Sequence, residues 1–515
     1  MQRIPGLVIV AALLLVSPAS GQDGPLTGLD AWIEREMAHW QIPGMAVGVV
    51  RHDSLVYARG FGVLGLEDRR PVDQHTLFGV ASTTKAMTAG ALALLVDEGR
   101  VHWDDPVVKH LPEFELADPW VTRNVTIRDL LTHQVGVGRM TGNRLRYLPG
   151  RSRAEVLYRM RYHEPEAPFR SGYVYSNVMY MVAGEVVRAA SGLSWDDFLA
   201  TRIFQPLGMT RSNTSIAAIA GGENAAWPHQ EIDGQVVAIP RRNFDVVGAS
   251  ASVNTSIRDM AQWMRLHLGE PGVYAGRRIF SDSVIREMHG AQVALGGSSY
   301  EDGAFRAYGL GWRLGDYRGR TIAQHGGATD GMNTTLVLMP SEDLGVIVMT
   351  NTFNSLRDAV VNRILDAYLG GEYVDWGRLY REAHGRAYAL AQARRDSIHA
   401  ARIPGTMPTL ALDAYTGSYV DSLYADAEVR QEGEGLVLQF WGDPEMTADL
   451  EHWHRDTFRV VWRNRAMREE WVWFTFGRDG GIDALHMQWT LLPQLLQVGA
   501  YPTDHFRVAT MNKVR

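Results

Sequence analysis

The chain contains no cysteine, which excludes disulfides, thiol nucleophiles and cysteine-anchored lipids together and leaves packing as the source of stability. Lysine is nearly absent too: of 51 basic residues only Lys85, Lys109 and Lys513 are lysines. A net charge of -7 over 515 residues provides no basic field for nucleic acid, and no run of like charges marks a polyelectrolyte partner. There is no Gly-x-Ser-x-Gly turn and no His-Glu-x-x-His helix, so the nucleophile elbow and the common zinc-hydrolase helix are set aside. His452 and His454 would share a strand face, but a pair without an evident third ligand reads more simply as surface histidines. No metal and no cofactor is expected.

Long apolar runs are also missing beyond the N-terminus. Arg3, the apolar stretch Leu7 to Val16 and the small residues Ser17-Pro18-Ala19-Ser20-Gly21 match a secretory signal over residues 1–21. That stretch is short for a bilayer span. It predicts an exported mature chain, periplasmic or secreted, with no stable membrane span after signal removal; an uncleaved anchor is the alternative. Export without disulfides is compatible with a bacterial periplasm.

What is present begins with Ser82-Thr83-Thr84-Lys85 at the head of an apolar run. With 23 serines and three lysines, about 0.13 Ser-x-x-Lys matches are expected by chance. On a helix, residues i and i+3 share a side, so Lys85 Nζ reaches Ser82 Oγ. Arginine stays protonated, whereas a lysine amine loses its charge when buried or near other cations and then accepts a serine proton. Ser82 is therefore a candidate nucleophile. The run Ala86 to Gly99 is apolar nearly all round, which suits a buried helix and desolvates Lys85. Taken alone, the motif is equally compatible with a serine N-cap followed by a solvated lysine.

Hydrophobic residues make up 46% of the chain, enough for more than one core. Met45 to Val50 and Leu55 to Ala58 predict an early hairpin, and Leu336 to Met339 with Leu344 to Met349 a late one across Pro340-Ser341-Glu342-Asp343. Helical segments lie between them: Met179 to Ala190, Trp195 to Ile203 and Ile257 to Leu268. The fold class expected is α/β (α+β), an antiparallel sheet flanked by helices with a helical subdomain. Tyr373 to Ala401 reads as a charged helix and Ile403 to Pro408 as a linker. From Tyr415 onward aromatics and short alternating runs, with turn residues Gly433 and Gly480-Gly481, predict a small all-β barrel or sandwich. Trp471, Trp473, Phe474 and Phe476 alternate, so half of them should fill its core. The chain thus divides into a signal (1–21), a catalytic unit (22–370), a helix and linker (371–409) and a β-domain (410–515).

Two further elements carry chemistry. Tyr175-Ser176-Asn177 precedes a helix, where a phenol beside Lys85 would be favoured as the anion and an amide orients lysine or a substrate carbonyl. His325-Gly326-Gly327-Ala328 leads along a strand, whose glycines admit a substrate to the backbone and whose N–H groups can face an oxyanion, with His325 adding a donor. Singly, each reads as an ordinary turn.

In combination, Ser-x-x-Lys, Tyr-x-Asn and His-Gly-Gly resemble the serine β-lactamase and penicillin-binding protein superfamily, its class C-like branch of esterases and peptidases. Leu130-Leu131-Thr132-His133, Phe204-Gln205-Pro206-Leu207-Gly208-Met209, Gly309-Leu310-Gly311-Trp312 and Asn351 are similar to that family's recurring segments. Tyr415-Thr416-Gly417-Ser418-Tyr419 resembles the start of the lipocalin-like domain often appended to such hydrolases. The resemblance implies Ser82 as nucleophile, Lys85 and Tyr175 as proton-transfer pair and Asn177 as orienter. It implies His325 and Gly327 as third-motif groups, and the N–H groups of Ser82 and Ala328 as oxyanion donors. Where that family's β-lactamases usually carry Lys-Thr-Gly, this chain has His325-Gly326-Gly327, lacking a permanent cation and a hydroxyl for a substrate carboxylate. Arg139, Arg144 and Arg146 are candidates for a replacement cation, or simply residues of an exposed loop. The expected partner is a small ester or amide, with a D-amino-acid or cell-wall peptide, or weak β-lactamase action, as alternatives. A substrate-binding sensor is the non-enzyme alternative.

Overall fold

A computed structural model of the chain describes residues 24–138, 151–219, 223–297, 303–488 and 508–514. The signal-like residues 1–21 and Arg139, Arg144 and Arg146 lie outside them. The early hairpin forms as β1 (Gly44–Arg51) and β2 (Ser54–Gly62). His52 and Asp53 join them with φ of 48° and 57°, the two positive dihedrals that match a tight turn to strand twist. Further strands are β3 (Val293–Ala294), β4 (Arg306–Tyr308), β5 (Arg313–Tyr317), β6 (Arg320–Thr329), β7 (Met332–Met339) and β8 (Leu344–Thr350). They make one antiparallel sheet in the order β2-β1-β8-β7-β6-β5-β4-β3, with Val47 opposite Val348 and Leu336 opposite Ile347.

The central strands are apolar at successive positions because both faces are covered. On one face Met45, Val47, Val346 and Val348 pack with α1 (Leu29–Trp40) and the helix Leu356–Leu369. On the other face Ala46, Leu336, Ile347 and Met349 join the core formed with α2 (Thr84–Asp97), α3 (Asn177–Ser191) and α4 (Ile257–His267). Gly48 lets α4 close on the sheet: a Cβ there would meet Ile257 Cγ2 at 2.6 Å. Helix α2 is buried from Thr84 through Leu95, as its uniform apolarity requires. The expected helix Trp195 to Ile203 is instead Trp195–Leu199 followed by a wider π turn, Ala200–Phe204. Pro206 just beyond has no N–H to offer the Arg202 carbonyl.

After Leu356–Leu369, here α5, comes α6 (Trp376–Ala400), 25 residues and roughly 37 Å long at 1.5 Å per residue. Its start is held by the catalytic unit: Trp376 Nε1 donates to Asp366 at 2.7 Å, and Arg381 pairs with Glu36. Its end is held by the β-domain, where Arg395 and His399 both reach Glu469 and the His399 ring meets Trp453 edge-on. The charged segment therefore acts as a strut between two units rather than as a free tether.

The β-domain is a closed barrel of eight antiparallel strands from Gly417–Asp421 to Val508–Lys513, closed where Tyr419 pairs with Lys513. Tyr419 donates to the Tyr415 carbonyl at 2.7 Å beneath the core aromatics Phe458 and Phe474. Of the four alternating aromatics only Phe474 is in the core. Phe476, on the same parity, stands 38% exposed beside a register shift that passes over Asp483 of the partner strand, and Trp471 faces His399 of α6. His452 and His454 are divided by another bulge, and each ring has its own backbone contact, Arg455 O and Ile403 N–H.

Candidate active site

Ser82 sits on a single 3-10 turn, Ala81–Thr83, that feeds into α2. Ala81 before it has φ of +45°, a left-handed conformation that costs an alanine about 1–2 kcal/mol. Such strain is kept only where the surroundings over-determine it. Here Val80 N–H is bound to Val253 O at 2.9 Å, and Val80 O accepts Thr83 N–H at 3.1 Å. The turn is thus anchored on both sides of the serine.

Lys85 is fully buried one helical turn on. Its Nζ lies 3.2 Å from Ser82 Oγ, 2.7 Å from Asn177 Oδ1 and 2.9 Å from Ser250 O. An ammonium has three N–H bonds, and three acceptors surround it. Each of these three groups can accept a hydrogen bond from the amine. The Tyr175 hydroxyl donates to Ser82 Oγ at 2.8 Å, and Lys85 Nζ lies 4.8 Å from the Tyr175 ring centroid. The phenol is thus within proton-exchange distance of the serine, with the lysine amine beside both.

Tyr175 and Asn177 come from the end of the loop and the first turn of α3, which Ser176 caps by accepting Met179 N–H at 3.4 Å. The third motif lies on β6 against the nucleophile turn. A Cβ on Gly327 would stand 2.0 Å from Val80 O, and one on Gly311 2.8 Å from Lys85 O. Glycine at 327 lets the β6 backbone touch the turn, and glycine at 311 lets the loop between β4 and β5 touch the start of α2. The Ala328 N–H follows directly on that contact, and Arg357 donates to Gly327 O from behind at 3.4 Å. His325 is buried with Nε2 3.0 Å from the Tyr308 hydroxyl and Nδ1 2.8 Å from Gly326 O.

The structure thus brings Ser82, Lys85, Tyr175 and Asn177 into direct contact and sets Gly327 beside their turn. His325 faces Tyr308. Ser250, His133, Tyr308 and Arg313 escaped sequence reasoning as site residues. Arg313 donates to the Tyr173 hydroxyl at 3.2 Å, near the same aromatic cluster. His133 and the Gly309–Trp312 segment had only family-like text to mark them, and Ser250 contributes a carbonyl, which no residue type announces. Among the described residues no three His, Cys, Asp or Glu side chains converge as a metal site, and no helix is long and apolar enough to cross a membrane.

A hydroxyl on a strained turn, a buried lysine amine and a phenol converge here, an arrangement that can serve as a nucleophile with a proton carrier. Residues 29–370, 342 of 515, match the Beta-lactamase family, and residues 401–498 match a domain of unknown function, DUF3471. The chain belongs to the β-lactamase family and is a serine hydrolase. It is 29% identical over 436 residues to the unguisins hydrolase ungD' of Aspergillus campestris, covering 79% of this chain and 78% of that one. Among solved structures, the octameric penicillin-binding protein homologue from Pyrococcus abyssi aligns over 95% of this chain and 100% of its own, with a TM-score of 0.58 and 20% identity. A crystal structure of SurE with D-Leu aligns over 95% and 99%, with a TM-score of 0.55 and 18% identity. These two likenesses are of fold.

Proposed function

We propose that the protein is an exported hydrolase that cleaves small carboxylic esters through an acyl-enzyme on Ser82. The observation that carries this is the convergence of Tyr175 OH and Lys85 Nζ on Ser82 Oγ at 2.8 and 3.2 Å. With Lys85 as ammonium, Tyr175 reacts as the phenolate, its hydroxyl proton lost to solvent, and takes the proton from Ser82 Oγ as that oxygen attacks the ester carbonyl. The carbonyl oxygen becomes an anion received by the Ser82 and Ala328 N–H groups. The intermediate collapses, the carbon–oxygen bond to the alcohol breaks, and Tyr175 returns the proton to the leaving oxygen. Water then attacks the acyl-enzyme, passing its proton to Tyr175, and as the bond to Ser82 Oγ breaks Tyr175 returns that proton to the serine oxygen, releasing the acid and restoring Ser82 and the phenolate.

Esters are favoured over β-lactams because the third motif has neither lysine nor threonine, and His325 is engaged by Tyr308 and Gly326 rather than placed as a cation. Export rests on the N-terminal charge, apolar core and small-residue pattern. A second reading, hydrolysis of D-amino-acid amides or peptides, draws on the relatives named for unguisins hydrolysis and on the fold neighbour solved with D-Leu. Intact-mass measurement after a fluorophosphonate probe tests the nucleophile: one adduct is expected, absent in Ser82→Ala. Comparing kcat/KM for p-nitrophenyl butyrate, D-alanine p-nitroanilide and nitrocefin tests the substrate. A preference for the anilide selects the second reading, and a preference for nitrocefin overturns both.

A further inference from the structure

The loop carrying Tyr175 and the strand carrying Gly327 belong to different parts of the fold, and three buried side chains bridge them. Val174 N–H donates to the His133 carbonyl at 2.8 Å and Ser176 N–H to His133 Nδ1 at 3.0 Å, so both flanks of Tyr175 are tied to this one residue. The His133 ring also lies against the Tyr175 ring, with centroids 4.4 Å apart. His133 itself has φ of +63° and is fully buried, a conformation and a depth at which histidine is a costly choice.

Hydrogen positions along the bridge can be assigned from donors and acceptors alone. An amide N–H facing His133 Nδ1 leaves that nitrogen without a proton, so the neutral ring carries its proton on Nε2. Nε2 faces the Tyr308 oxygen at 3.3 Å, and that oxygen lies 3.0 Å from His325 Nε2. At the far end His325 Nδ1 is 2.8 Å from the Gly326 carbonyl, which only accepts, so Nδ1 holds the proton. In the neutral ring His325 Nε2 is then an acceptor, and Tyr308 donates to it. Every bond points the same way: Ser176 to His133, His133 to Tyr308, Tyr308 to His325, His325 to Gly326. Burial holds the Tyr308 phenol well above its ordinary range, so it remains neutral and keeps the proton it must donate. The groups facing this chain are Tyr173 and Tyr175 around the His133 ring, Tyr180 both against that ring and hydrogen-bonded to Tyr308, Arg313 near the Tyr308 ring, and Lys85 behind Tyr175.

We propose that His133 and Tyr308 are positioning residues, a directed hydrogen-bonded bridge that holds the Tyr175 loop and the Gly326–Gly327 strand in one geometry about Ser82. The bridge rests on the serine mechanism proposed above. It also gives His325 a different part from that of a substrate donor: its Nδ1 proton is spent on Gly326 O, one residue before the strand touches the nucleophile turn. Neither His133 nor Tyr308 touches the reacting atoms. Their effect is on where Tyr175 and the strand stand.

The test uses the full chain with three readouts. The first is the rate at which a fluorophosphonate probe labels Ser82. Tyr308→Phe removes one O–H and keeps the ring, and labelling should slow by about 10- to 100-fold, the scale of a misplacement approaching 1 Å. Turnover of p-nitrophenyl butyrate should fall in kcat by a similar factor, with KM changed less than about threefold. His133→Asn keeps an acceptor for Ser176 and tolerates positive φ, so it should retain more activity than His133→Leu. The second is the 15N spectrum of histidine-labelled protein, assigned with His133→Gln and His325→Gln. His133 should be the Nε2–H tautomer and His325 the Nδ1–H tautomer, with His325 becoming a tautomer mixture in Tyr308→Phe. The third is thermal unfolding, to show that the variants are folded. Labelling of Tyr308→Phe within twofold of the parent, or an Nε2–H tautomer at His325, overturns the bridge. Failure of the parent to label at Ser82 overturns the mechanism beneath it instead, so the two failures are distinct.

Discussion

Replacing Gly327 by alanine is the sharpest available test of how the third motif works. The added Cβ would stand 2.0 Å from Val80 O, where real Cβ contacts do not fall below 3.0 Å, so 3.0 − 2.0, about 1 Å, must be found by moving backbone. No flexible side chain can yield instead. Val80 O also closes the nucleophile turn by accepting Thr83 N–H at 3.1 Å, so any shift of Val80 carries Ser82 with it. A displacement near 1 Å costs on the order of 100-fold in rate, which is about 2.7 kcal/mol. Overpacking adds a stability loss of about 1–3 kcal/mol. Gly326→Ala is the matched control, because its Cβ would meet nothing nearer than Thr334 O at 3.7 Å, an ordinary contact. The assay is kcat on p-nitrophenyl butyrate for both variants, with the rate of Ser82 labelling and Tm alongside. Gly327→Ala should lose about 100-fold while Gly326→Ala stays within about threefold. Equal activities at equal Tm would refute the view that strand contact with the turn aims the serine.

Lys85→Ala and Tyr175→Phe should each lower kcat at least about 100-fold, and the double variant little further, since the two groups act on one proton at Ser82 Oγ. Multiplicative losses in the double variant would show independent roles. Acid should destabilise the fold through His267 and His289, which stack at 5.1 Å and whose ring nitrogens His267 Nδ1, His267 Nε2 and His289 Nε2 have no hydrogen-bond partner among the described residues. Burial lowers His267 well below the ordinary range and His289 to about 4. The unfolded chain therefore takes up protons first, and the stabilisation is complete above the unfolded value of 6.5 and lost as pH falls towards 4. At pH 5, His289 alone contributes a loss of about 2 kcal/mol. Urea midpoints measured from pH 7.5 to 5 should fall steeply for the parent and less for His267→Phe/His289→Phe; identical slopes would count against it.

Much of this protein is legible in its sequence, for local reasons. A continuous apolar run marks β1 of the first hairpin, alternation marks the strands of the C-terminal domain, and uniform apolarity marks α2 as buried. Where local pattern misleads, tertiary context is the cause. Parity assigns Phe476 to the barrel core, but it stands 38% exposed at the strand end, beside a register shift that passes over Asp483 of the partner strand. Whether the β-domain is a barrel or a sandwich depends on Tyr419 meeting Lys513, a pairing 94 residues apart that no window of sequence contains. The long charged helix looks like a connector, and only its two ends, on Asp366 and Glu469, show it to be a strut.

At the site the same division holds. Ser82 and Lys85 are neighbours because a helical turn puts i and i+3 on one side, so sequence alone determined that pair. Everything that gives the pair its chemistry arrives from far along the chain. Asn177 and the Ser250 carbonyl reach Lys85 from 92 and 165 residues away, and Tyr175 reaches Ser82 from 93. Sequence paired Lys85 with Tyr175 for proton transfer; only the fold shows which acceptors surround Nζ and that the phenol meets Ser82 Oγ. Likewise His-Gly-Gly named a strand that admits substrate, while the register of β6 against the turn decided that Gly327 must be glycine because of Val80 O. Side-chain identity and helical period are written locally, whereas the partners of a buried charge are set by strand register and helix packing. Those follow from the whole core finding its closest fit.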